Sequence, residues 1–133
     1  MCNLVDLEVH TGYYGTIKVA DIKKKYIENI IDKASLCNKI DAIILFGSSL
    51  EERCTQDSDI DFVVVSKYTT VQLEKLKSFT NFINSVFGDE YIQDYDILYI
   101  RSLNEVNKKV TDEITIYSEL QKKGKVIYQR EAS

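Results

Sequence analysis

The sequence predicts an α/β chain, built as an α+β two-layer domain with a mixed central sheet and helices packed on it. Two observations carry that expectation. Short apolar runs within 40–46, 60–66 and 91–100 alternate with longer stretches, 21–38 and 70–86, whose apolar residues recur every three or four positions. The strands are also few, which suits one small sheet covered by helices.

Near the start, Val5, Leu7 and Val9 alternate with Asp6, Glu8 and His10, the period-two pattern of a strand with one buried face. Thr11-Gly12-Tyr13-Tyr14-Gly15 reads as a turn, and 16–20 as the returning strand. Residues 1–20 are thus expected to form an accessory hairpin or a dimer element. Residues 21–38 read as a helix with Ile22, Tyr26, Ile30, Ala34 and Cys37 on its inner stripe and Asp21 as N-cap. A buried strand is expected at 40–46, where 42–45 are all apolar, then a short helix from Ser48 to Arg53 and a second core strand at 60–66.

The stretch 70–86 reads as one helix, with Val71, Leu73, Leu76, Phe79, Phe82, Ile83 and Val86 inward and Gly88 as its stop. A third strand follows at 91–100. A helical turn is expected at 103–107, a last helix at 112–123 ending at Gly124, and a short strand at Val126-Ile127-Tyr128.

The 133 residues are enough for one domain spanning 1–133 with its own core. No apolar run approaches the ~20 residues of a membrane span. The N-terminus, Met-Cys-Asn-Leu-Val-Asp, lacks the basic start of a signal peptide. Three cysteines, Cys2, Cys37 and Cys54, are widely spaced with no paired motif, so reduced thiols and a cytoplasmic setting are expected. A net charge of −4 argues against strong nucleic-acid binding, which needs basic surface. His10, the only histidine, lacks a catalytic partner and reads as a surface residue. The runs Lys23-Lys24-Lys25 and Lys122-Lys123 read as solvated helix faces.

The chemistry concentrates in 42–65. An apolar run ends in Gly47-Ser48, and after ten intervening residues come Asp59 and Asp61, followed by a second apolar run. Carboxylates at i and i+2 of a strand share a face. Two such anions repel, and a cation between them relieves the repulsion. A Gly-Ser turn leaves backbone N–H groups for a phosphate. Ser48-Ser49-Leu50-Glu51 also has the spacing of a capping box, which is compatible with phosphate contact.

Phe46-Gly47-Ser48, the ten-residue spacer and Asp59-Ile60-Asp61-Phe62-Val63-Val64 resemble the signature of the nucleotidyltransferase superfamily that includes DNA polymerase beta. Within it, the short chain is most similar to the minimal nucleotidyltransferases, and the resemblance covers roughly 20–128. Many relatives carry Arg-Gly in the spacer; here the pair is Arg53-Cys54.

The resemblance implies a polymerase-beta-like fold. It also implies transfer of a nucleoside monophosphate, AMP from ATP, to a hydroxyl with release of pyrophosphate. Asp59 and Asp61 would hold Mg2+, two ions in all. A third acid from a neighbouring strand would share the metal and take the proton of the incoming hydroxyl. Asp96, between Tyr95 and Ile97, fits better than Asp94, which follows Gln93. Gly47 and Ser48 would bind the triphosphate. Minimal relatives often act as antitoxins beside a HEPN-type ribonuclease, so a protein acceptor is implied. With no separate acceptor domain, a partner chain or a second copy, as in a homodimer, would complete the site. The alternatives are an antitoxin that works by binding alone and transfer to a small molecule.

Overall fold

Strand β3 (Ala42–Phe46) is the buried centre of the molecule, and all five of its side chains are shielded from solvent. The structure is a computed structural model that describes residues 2–11, 15–88, 92–102 and 123–130. The helices expected at 103–107 and 112–123 lie outside the described residues, apart from residue 123 itself. β3 pairs antiparallel with β4 (Ile60–Val65) on one side and with β6 (Lys125–Gln129) on the other. Strand β5 (Tyr95–Ile100) adds in parallel to β4, giving a mixed four-stranded sheet in the order β5-β4-β3-β6.

Side-chain alternation sorts this sheet into two faces. Ile43, Leu45, Ile60, Phe62 and Val64 point to one face, where they meet Ile27, Ile30 and Ala34 of α1 (Lys24–Ala34). Phe79, Phe82 and Val86 of α3 (Lys77–Phe87) close the same core. Ala42, Ile44, Phe46, Val63, Val65 and Ile100 form a second buried cluster from the opposite set of positions. Asp61 and Asp96 follow the phase of this second face.

The N-terminal pattern forms an antiparallel hairpin, β1 (Leu4–Val9) with β2 (Gly15–Ala20), as a separate two-stranded sheet. It is bound into the main body. Leu7 and Val19 are fully buried in the helix-side core. His10, which is exposed as expected, also forms a parallel bridge with Tyr128. Its N–H donates to the Ile127 carbonyl at 2.9 Å, its carbonyl accepts from Gln129 N–H at 2.7 Å, and its ring stacks on Tyr128 with centroids 5.7 Å apart.

The helices depart from the sequence reading in three places. The stretch 21–38 begins with a 3-10 turn at Asp21–Lys23, and α1 ends at Ala34. Asp21 bonds the adjacent Ile22 N–H and caps no α-helix. Its inner stripe is Lys23, Ile27, Ile30, Ala34 and Cys37, with Lys23 and Ile27 where Ile22 and Tyr26 were expected.

The stretch 70–86 is two helices, α2 (Thr70–Glu74) and α3, broken at Lys75-Leu76, where Leu76 is extended. Thr69 and Gln72 cap α2 reciprocally, a start signal inside the apolar pattern. The break resets the phase so that Leu73, Phe79 and Phe82 are all buried, while Val71 is left 61% exposed. Strand β5 begins at Tyr95 rather than 91. Among the described residues, no helix is long and apolar enough to cross a membrane.

Candidate active site

Strand β3 delivers the chain to the site and a glycine turns it. Phe46 is extended, and Gly47 follows at φ +77°, in the left-handed region that only glycine enters without strain. The next residues form a 3-10 turn, Gly47–Leu50, in place of the helix expected from Ser48 to Arg53. The capping box read at Ser48 does not form, since the turn has no side-chain cap; the Ser48 carbonyl accepts from Glu51 N–H at 2.9 Å instead. Ser48 is half-buried. Ser49 is fully buried, and its hydroxyl has no hydrogen-bond partner among the described residues.

Gly47 is also required by its neighbour. Phe46 pairs with Asp61 across β3 and β4. A Cβ on Gly47 would overlap Asp61 Oδ2 and stand 3.2 Å from Asp61 Cγ. The Asp61 carboxylate thus lies against bare backbone at the turn.

The parallel pairing of β4 with β5 sets Asp61 directly opposite Asp96. Asp59 immediately precedes β4, which starts at Ile60 as expected. The three carboxylates differ in setting: Asp61 is half-buried, whereas Asp59 and Asp96 are exposed. Burial pushes the Asp61 carboxyl up to about 6, with further upward contributions from the Asp96 and Asp59 anions and an opposing one from Arg53. A cation at this place would remove both penalties.

Asp94 has a backbone role. Its carbonyl accepts from Ile60 N–H at 3.1 Å and from Gln93 Nε2 at 2.7 Å, fixing the start of both parallel strands.

Carboxylate oxygens are the donors that hard divalent cations take. Among the described residues, no three His, Cys, Asp or Glu side chains are gathered closely enough to hold an ion unaided. Asp61 and Asp96, opposite each other, present oxygens of that kind, to which phosphate oxygens and water would add. On the other side of Gly47 lies a cavity of about 570 Å³. Thr16 and Lys18 from β2, Leu50 at the end of the turn and Glu51 after it, and Lys123 and Lys125 line it. The hairpin therefore forms one wall of the space beside the Gly-Ser turn. A cavity of about 790 Å³ between the hairpin and α1 holds Asp6, Glu8, Glu28 and Asp32 but none of the three site carboxylates.

The polymerase beta nucleotidyltransferase family matches residues 27–133. The chain belongs to that family. This nucleotidyltransferase has the small α+β build and mixed sheet of the polymerase-beta-like fold. Membership makes it a transferase of nucleotidyl groups that uses a nucleoside triphosphate. The matched stretch contains Gly47, Ser48, Asp59, Asp61 and Asp96, and leaves out the hairpin and Lys23. A search of curated proteins finds no match.

The sequence reading missed several residues of the nucleotidyltransferase. Lys23, taken as solvated, is 1% exposed. Its ammonium donates to the carbonyls of Gln56 at 3.0 Å and Ser58 at 2.7 Å and to Gln93 Oε1 at 2.6 Å. Gln93 is itself buried. The signal for Lys23 was present: counting back from Ala34, Ile30 and Ile27 at helical spacing lands on it. Cys54 is buried, and its N–H donates to the Glu51 carbonyl at 3.2 Å.

Proposed function

We propose that this nucleotidyltransferase moves AMP from ATP to a hydroxyl of a partner protein, with magnesium held by Asp59, Asp61 and Asp96. The observation that carries the reading is Asp61, set opposite Asp96 and raised to about 6 by burial and by two neighbouring anions. When bound, magnesium, two ions in all, offsets the charge on the attacking and leaving oxygens of an in-line displacement at the α-phosphorus.

The chain's own residues do the rest. Gly47 opens the turn so that backbone meets the triphosphate, and Ser48 donates its N–H and hydroxyl there. Lys123 and Lys125, around the adjoining cavity, supply positive charge beside the turn, while Lys18 is paired with Asp6 at 2.6 Å. Exposed Asp96 accepts the proton of the incoming hydroxyl, while half-buried Asp61 faces it across the strand pair as a metal-holding carboxylate.

A HEPN-type ribonuclease is the partner class we infer for the acceptor, with this chain as its antitoxin. A cytoplasmic setting goes with that reading, and Cys2, Cys37 and Cys54 are free thiols. The test is label transfer from α-³²P-ATP with Mg2+, using wild type and the double variant Asp59→Ala/Asp61→Ala, with host lysate and a purified HEPN partner as acceptors. An aspartate-dependent labelled protein band is expected. With ATP binding intact, absence of such a band overturns protein transfer and leaves a binding antitoxin or a small-molecule acceptor.

A further inference from the structure

Lysine is rarely enclosed in a protein core, because its ammonium gives up water that only well-placed acceptors replace. Lys23 is enclosed, and three acceptors match the three protons of its ammonium. The identity of those acceptors is what carries meaning.

Two of them, the Gln56 and Ser58 carbonyls, belong to the loop that ends in Asp59. That loop is already tightened on itself, with Ser58 N–H on the Thr55 carbonyl at 3.1 Å and Thr55 N–H on Ser58 Oγ at 3.0 Å. The third acceptor is Gln93, two residues before the start of β5 and three before Asp96. The amide of Gln93 then donates to the carbonyls of Ser58 at 3.0 Å and Asp94 at 2.7 Å. One ammonium thus ties the segment leading into Asp59 to the segment leading into Asp96. It does so from the 3-10 turn Asp21–Lys23, ahead of the residues that match the family.

An apolar side chain would fill the same space but leave the Gln56, Ser58 and Gln93 acceptors without their donor, so what a lysine adds here is the tie to those three groups. We infer that Lys23 is a positioning residue: through Gln56, Ser58 and Gln93 it fixes the Asp59 loop against the start of β5, and so sets how tightly the three carboxylates hold a divalent cation. This inference rests on the metal reading of the site. Lys23 touches no reacting atom in this role and acts through the loop.

The test uses the full chain without nucleotide and Mn2+ as the probe, read by the loss of the free-ion paramagnetic resonance signal. Amide hydrogen exchange is followed in parallel at 55–60 and in α3. Wild type, Asp61→Asn, Lys23→Met and Gln93→Met are compared, since Gln93→Met removes one acceptor and leaves the lysine and its two carbonyls. Lys23→Met is expected to weaken Mn2+ binding by about 10-fold, the lower end for groups that orient ligands. Exchange should quicken at 55–60 and remain unchanged in α3. Gln93→Met should shift both readouts the same way by a smaller factor.

If Lys23→Met lowers the unfolding temperature but keeps wild-type Mn2+ affinity and loop exchange, the lysine is structural only and the inference is overturned. Should Lys23→Met not fold, Gln93→Met decides, and unchanged Mn2+ affinity in that variant overturns the inference. Loss of binding in Asp61→Asn alone would sink this inference and leave the metal reading standing. A wild type with no Asp61-dependent Mn2+ binding overturns both.

Discussion

Asp61 and Asp96 are cross-strand partners in the parallel pairing of β4 with β5. Thirty-five positions apart in the chain, they are brought side by side because both strands place every second residue on the same face. Their mutual repulsion is built into the metal-free fold and has consequences for pH.

The Asp61 carboxyl titrates near 6 in the folded protein against an ordinary value of 3.8. Below about pH 4 it is protonated in both folded and unfolded chains. Between these values the folded chain keeps a proton that the unfolded chain releases, so this group's contribution falls as pH rises and is fully lost above 6. A shift of that size corresponds to about 3 kcal/mol, and the partial exposure of Asp61 reduces the cost at pH 7 to on the order of 1–2 kcal/mol. Metal-free Asp61→Asn should therefore gain stability over wild type as pH rises from 4 to 7, while losing nucleotidyl transfer. Thermal unfolding of both proteins across that range measures it. A stability difference that stays flat with pH contradicts the assignment.

Gly47→Ala should damage stability and activity together. The added methyl overlaps Asp61 Oδ2, and the backbone must hold φ +77° with a side chain present. A cost of roughly 1–3 kcal/mol is expected for such strain. Denaturant unfolding and the label-transfer assay give the two readouts, and a wild-type rate in Gly47→Ala would exclude a close Gly47–Asp61 approach.

Asp96 and Asp94 lie two residues apart and have different work. Asp94 contributes its carbonyl to strand starts, which Asp94→Asn leaves in place. Asp94→Asn should keep transfer within a few-fold of wild type, whereas Asp96→Asn should lose roughly 100-fold, the scale of an absent general base. Single-turnover rates with saturating ATP compare them directly. Equal losses would return Asp94 to the candidate set.

Leu7→Ala tests whether the hairpin bears on the main core. Leu7 is 1% exposed and sits in the cluster that includes Ile27, Ile43 and Phe62. Removing it should cost about 2–5 kcal/mol in global unfolding, as for other fully buried leucines. A separately melting hairpin would instead give a small early transition with the main midpoint unmoved.

Much of this was legible in the residues. β3 announced itself as an unbroken apolar run, β4 as the apolar stretch 62–65 behind Asp61, and the hairpin as strict alternation between Val5 and His10. The Gly-Ser element and the two aspartates marked the candidate site. The break between α2 and α3 was hidden, because Lys75-Leu76 contains neither glycine nor proline and the apolar spacing runs through it. The pairing of Asp61 with Asp96 was open as well, since register depends on how β5 docks and Asp94 has the same phase as Asp96. Lys23 was missed for a chemical reason: charge dominates the reading of a lysine, and only its three acceptors, distant in sequence, make its burial affordable.

The place of β3 between β4 and β6 also bears on how the protein is made. β4 follows β3 closely, whereas β6 is translated only at Lys125–Gln129. During synthesis, the edge of this all-apolar strand that β6 covers lacks that partner until the chain has been made as far as Gln129. An open apolar edge is a template for pairing with the wrong strand. Slow codons between Val65 and Lys125 would lengthen that interval and fast ones would shorten it, so the yield of folded protein should depend on translation speed in a stretch well away from β3 itself.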